Sequence, residues 1–131
     1  MVPISTEERR LLAIWERDPR YAIGAYEFVR GSVSYASEVV YATGTHVSGR
    51  ELLEAIRRLA REQFGLMTPD VLASWGVRCT EDFGEIVFNL VDEGLLSKTD
   101  QDSRDDFRGV YAFDEAFSTR DYWQEVLRSS R

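Results

Sequence analysis

The sequence predicts a mainly helical fold of the α+β class, and three observations carry that expectation. Between Ser48 and Gly94 the chain holds three helix signatures in succession, opened by Ser48, Thr68 and Thr80 and closed by Gly65, Gly76 and Gly94. Beyond them, two short apolar runs, Leu95-Leu96-Ser97-Lys98 and Val110-Tyr111-Ala112-Phe113, flank the polar stretch Thr99 to Arg108, the pattern of a two-stranded β-hairpin with a long, acid-rich tip. Ahead of both, residues 1–45 carry two more helical patterns. Three helices followed by a hairpin is the order of a winged helix. The expected architecture is therefore one domain of 131 residues: a helical segment over 1–45, a winged-helix-like core over 46–113 and a helical extension over 114–131.

Each element has its own signal. Ser5 or Thr6 caps a first helix, with Ser5 and Glu8 at capping-box spacing and Leu11, Leu12 and Trp15 on its apolar face. Asp18-Pro19 interrupts it. A second helix starts near Pro19 and runs to about Thr43, with Tyr26, Val29, Val33, Val40 and Tyr41 inward and a kink near Gly31. Thr43-Gly44-Thr45 is a turn. Ser48-Gly49-Arg50-Glu51 forms a capping box, and Leu52, Leu53, Ile56, Leu59, Ala60 and Phe64 follow at three- and four-residue spacing. Thr68-Pro69 opens a short helix through Trp75. Thr80 caps the fifth, whose inner face is Phe83, Ile86, Val87, Leu90 and Val91. Gly84 interrupts that helix, so either a close helix crossing, the commoner cause, or a ligand approaching the backbone is expected there. Asp114 and Asp121 cap two final short helices.

Composition narrows the function. With 44% hydrophobic and 30% charged residues, the chain is neither disordered nor rich enough in apolar runs to span a bilayer. Met1 to Glu8 lacks the basic start and apolar stretch of a secretion signal, and the single Cys79 forms no intramolecular disulfide, so a cytoplasmic location is expected. The net charge of −7 is uneven: residues 1–61 carry +1 and residues 62–131 carry −8. From Thr80 to Leu96, the helix that would face DNA in a winged helix holds five acids and no Lys or Arg. Phosphate contacts supply most non-specific nucleic-acid affinity, so this face disfavours DNA.

Three strings together resemble an uncharacterised bacterial family found mainly in Planctomycetes and Verrucomicrobia: His46-Val47-Ser48-Gly49-Arg50-Glu51-Leu52-Leu53, Glu81-Asp82-Phe83-Gly84-Glu85-Ile86-Val87-Phe88-Asn89-Leu90-Val91 and Asp102-Ser103-Arg104-Asp105-Asp106-Phe107. Asp18-Pro19-Arg20-Tyr21 and Ala25-Tyr26-Glu27-Phe28-Val29 fit as well. The resemblance implies a bacterial, intracellular protein and transfers no catalytic residue or cofactor.

The remaining candidates are few. Asp100, Asp102 and Asp106 begin like a calcium loop, but Asp105 and Tyr111 stand where an EF-hand needs Gly and a bidentate Glu, so a solvated tip is the preferred reading. His46, the sole histidine, needs a carboxylate from elsewhere to act as an acid–base pair. Cys79 precedes a helix start, where a thiol is activated, yet its apolar neighbours favour a small buried residue. Arg50, Arg57, Arg58 and Arg61 line one side of the third helix, partly neutralised by Glu54. Tyr21, Tyr35, Tyr122 and Trp123 lie in weakly patterned segments and are candidates for a partner surface. The expected function is a non-catalytic, winged-helix-like protein-interaction module with a protein partner, or a homo-oligomer through its N-terminal helices, without cofactor. The alternatives are a DNA-binding regulator using the arginine face or the Arg104 and Arg108 wing, and a small metal-dependent protein using Asp100 to Asp106 with Glu85.

Overall fold

The computed structural model describes residues 6–40 and 46–129, and all regular structure in them is helical. Helix α1 (Thr6–Arg17) buries Leu11 and Ile14 but leaves Trp15, expected on the same face, 44% exposed. Helix α2 (Ile23–Tyr35) starts later than Pro19 because Arg20 folds back on Asp18. The Asp18 carboxylate accepts the Arg20 backbone N–H and the Nε and Nη2 donors of its guanidinium, at 2.7–3.3 Å. Ala22 N–H then donates to the carbonyl of Trp75 at 3.1 Å. Helix α2 continues through Gly31 unbroken, and the irregularity falls later, in a π-helical segment at Ala36–Val40. Ser5, Tyr41 and the Thr43-Gly44-Thr45 turn lie outside the described residues, as does the Val40 side chain.

Helix α3 (Gly49–Phe64) has both capping-box bonds, Glu51 N–H to Ser48 Oγ and Ser48 N–H to Glu51 Oε1. Its stripe of Leu52, Leu53, Ile56 and Ala60 is buried against α2 and α5. A 3₁₀ turn at Gly65–Met67 leads to α4 (Thr68–Ser74). Thr68 is the first residue of α4 rather than its cap, and its buried hydroxyl donates back to the carbonyls of Gly65 and Ala60. After α4 the backbone at Gly76 takes φ +83°, and a Cβ there would collide with the Arg20 carbonyl oxygen. Helix α5 (Thr80–Asp92) likewise begins at Thr80, with Cys79 in the cap position.

No β-strand occurs among the described residues, so the α+β winged-helix expectation, with its hairpin of Leu95 to Lys98 and Val110 to Phe113, is overturned. The physical reason lies in where the backbone bonds go. Leu95 and Leu96 turn back on the end of α5, both N–H groups meeting the Leu90 carbonyl. The Val110 N–H goes to the Thr80 hydroxyl, which itself donates to the Phe107 carbonyl at 2.7 Å. The expected tip contains a 3₁₀ turn at Arg104–Phe107 with its own capping box between Ser103 and Asp106. The expected return strand runs into α6 (Phe113–Ala116), and α7 (Thr119–Ser129) begins two residues before Asp121.

Phe107 is the pivot of this arrangement. A Cβ at Gly84 would stand 2.9 Å from the Cβ and Cγ of Phe107, and one at Gly49 would stand 3.0 Å from its ring. What stands against Gly84 is neither a crossing helix nor a ligand but an aromatic side chain from the loop, wedged between α3 and α5. Phe28, Phe64 and Trp75 form a second aromatic group with centroids 5.5–5.7 Å apart.

Candidate functional site

Placing Phe107 against α3 and α5 leaves a cleft of about 340 Å³ beside it. Helix α2 contributes Val33, the segment leading into α3 contributes Val47, α3 contributes Leu52, and α5 contributes Val87, Phe88 and Val91. Leu96 and Phe107 complete an apolar floor. The rim is polar, with Ser37 from the π-helical segment, His46, Ser97, Lys98, Asp102 and Asp106. A mostly apolar concavity with a few convergent polar groups is the usual form of a ligand site.

The sequence left His46 without a carboxylate, and the fold supplies one: His46 Nε2 lies 2.6 Å from Asp102 Oδ2. That same oxygen accepts the Thr99 N–H at 2.8 Å and the Thr99 hydroxyl at 3.3 Å. Asp106 Oδ2 accepts the Ser103 N–H at 3.0 Å. Both aspartates therefore shape the loop, while Asp100 is exposed in its turn. Glu85, the partner imagined for a cation, sits between the guanidiniums of Arg20 and Arg104, each at 3.3 Å. Among the described residues, no group of three or more His, Cys, Asp or Glu is arranged to hold a metal ion.

Cys79 is exposed rather than buried, and its Sγ faces Asp82 Oδ2 at 3.5 Å. Partial desolvation of the sulfur and the neighbouring carboxylates push the thiol up from its ordinary value, the opposite of an activated nucleophile.

The arginine face does not hold together as one surface. Arg57 and Arg58 both meet Glu54, at 3.3 and 3.4 Å, and Arg50 is exposed. Arg61 is buried, 7% exposed, and its Nε and Nη2 donate to the Ala116 carbonyl at 3.2 and 2.7 Å. Arg108 pairs with Asp105 at 2.9 Å. Tyr21 is buried too, donating its hydroxyl to Asp82 Oδ1.

Tyr122 and Trp123 lie on α7, which runs beside the 3₁₀ turn. The Tyr122 ring covers Gly65, where a Cβ would approach it to 3.5 Å, and Trp123 stacks edge-on against Tyr122. Trp123, Val126 and Leu127 are exposed on α7, as are Leu66 and Met67 on the turn.

A polar network missed by the sequence reading ties the helices together. Asn89, buried on α5, donates to Asp18 Oδ2 at 2.9 Å and to the Tyr26 hydroxyl at 3.1 Å. The available signal was an amide on the stripe that also carries Phe83, Ile86 and Leu90. Comparison with protein-family models, with curated proteins and with solved structures finds no match to this chain. The family resemblance accordingly rests on its quoted motifs alone. No described helix is long and apolar enough to cross a membrane.

Proposed function

We propose that this chain is a non-catalytic protein-interaction module that docks a partner protein on the outer face of α7 and the adjoining 3₁₀ turn. The observation that carries this reading is the row Trp123, Val126 and Leu127, at i, i+3 and i+4, with Trp123 51% and Leu127 65% exposed. Residues in that spacing share one helix face. An indole flanked by aliphatic side chains is the composition of interface centres, and leaving it in water forgoes the burial that stabilises association. We take the setting to be bacterial and cytoplasmic, on the motif resemblance and the free Cys79. The DNA-binding alternative is less well supported, because Arg57, Arg58, Arg61, Arg104 and Arg108 are each engaged within the chain.

The test compares wild type with the double variant Trp123→Ser/Leu127→Ser in affinity capture after nuclease treatment at high salt. Apolar docking resists salt, whereas phosphate binding does not. A partner held by wild type and lost by the variant, with thermal melts agreeing within about 0.5 kcal/mol, supports the reading. Equal capture by both overturns it. If the partner is the chain itself, sedimentation shows a concentration-dependent dimer in wild type only.

A further inference from the structure

We infer that the cleft between α2, α3 and α5 binds a free α-amino acid with an aliphatic side chain. The side chain points inward, the ammonium meets Asp106 and the carboxylate meets Lys98. No α7 residue lines this cleft, so the site stands or falls independently of the docking face. At roughly 30 Å³ for each water in the liquid, a cavity of about 340 Å³ has room for a ligand of about ten heavy atoms, the size of leucine. That volume lies at the lower end of small-molecule sites. Its floor of Val33, Leu52, Val87, Val91 and Leu96 offers no polar side chain to a buried head group, so the inner part of the ligand is hydrocarbon.

The head group follows from a rim that carries both signs of charge. Lys98 supplies a cation, and Asp102 and Asp106 supply anions, since a carboxylate that accepts neutral N–H and O–H donors keeps its charge. Asp102 is the more fully engaged: its Oδ2 meets His46 Nε2 and accepts the Thr99 N–H and hydroxyl. Asp106 accepts only the Ser103 N–H among the described residues, which leaves most of its acceptor capacity to a ligand ammonium. Lys98 makes no ion pair with a described residue, so neither aspartate of the rim is close enough to pair with it. A fatty acid would set its one charge beside two carboxylates, and an alkylamine would set its own beside Lys98. A zwitterion gives both signs on the rim an opposite partner and adds no net charge to the cleft.

The experiment is titration of ¹⁵N-labelled full-length protein with L-leucine, followed by NMR. Isoamylamine, which lacks the carboxylate, and 4-methylpentanoate, which lacks the ammonium, are the controls. Saturable shifts at Val47, Leu52, Val87 and Val91 are expected with leucine, and each control should bind about two- to fivefold more weakly. Lys98→Ala, an exposed substitution, should weaken leucine and 4-methylpentanoate by a similar factor and leave isoamylamine unchanged. Asp106→Asn keeps an amide oxygen for the Ser103 N–H and removes the charge, so it should weaken leucine and isoamylamine but not 4-methylpentanoate. Shifts confined to Trp123 and Leu127, or no saturation into the millimolar range, would show that the cleft takes no such ligand. Either control binding the wild type as tightly as leucine would overturn the zwitterionic head, whether or not the variants fold.

Discussion

At the scale of single residues, two glycines of similar sequence context have opposite roles. Gly31 sits inside α2 with nothing within 4 Å of the Cβ it lacks, whereas a Cβ at Gly84 would stand 2.9 Å from the Cβ and Cγ of Phe107. Gly31→Ala should stabilise the protein by about 0.4–1 kcal/mol, through lower entropy of the unfolded chain and better helix propensity. Gly84→Ala gains the same propensity but must displace a buried ring anchored at its own backbone. A net loss of about 1–3 kcal/mol is expected from overpacking. Urea melts of both variants check the pair, and a stabilised Gly84→Ala would mean that Phe107 is not wedged there. The sequence marked Gly84 as a place where a helix crosses or a ligand approaches the backbone, and the neighbour is a loop aromatic instead. It could not point to Phe107, which lies 23 positions away across a loop whose path depends on tertiary contacts.

Among the secondary-structure elements, helices whose ends are written in local side chains were legible. Ser48 and Glu51 satisfy each other's backbone N–H groups within one turn, so the start of α3 follows from four consecutive residues. The hairpin was not legible. Leu95-Leu96 and Val110-Tyr111 are short enough to serve either as strands or as packed coil, and only long-range partners decide. Here Thr80 takes the Val110 N–H, and the end of α5 takes those of Leu95 and Leu96. Arg61 shows the same dependence on distant structure: what looks like one more cation on a helix face is the tether of α6. Arg61→Met keeps much of the stem's packing but leaves the buried Ala116 carbonyl without its fork of donors. It should cost about 1.5–3 kcal/mol. Hydrogen exchange should rise selectively in residues 113–129, and a uniform change across the chain would contradict the tether.

Taken as a whole, the molecule is cross-linked by polar side chains that respond to pH. Hydrogen bonds from Arg20, with a further one from Asn89, hold the Asp18 carboxyl well below the usual carboxylate range. A depressed carboxylate stabilises the fold at pH above its unfolded value of about 3.9. This contribution fades as pH falls below about 4 toward the folded value. Burial pushes the Tyr21 and Tyr111 hydroxyls up, with the Asp82 carboxylate adding to the effect at Tyr21. A raised tyrosine contributes stability that is complete below about pH 10 and is lost as pH rises beyond it. Stability should therefore be flat through neutrality and fall at both extremes. Asp18→Asn should remove part of the acid limb, as measured by denaturant midpoints from pH 2 to 7.

The sequence by itself determined the helices and most of their buried faces, because a 3.6-residue apolar period and local caps act within a few residues of one another. The structure alone decided that no strand forms among the described residues, that His46 finds Asp102, and that the cleft and the exposed α7 face exist. Each of these depends on groups far apart in the chain. The free energy that chooses among such pairings comes from packing Phe107 and from the long-range hydrogen bonds that satisfy the buried Asn89 and Arg61, terms that no local window of sequence contains.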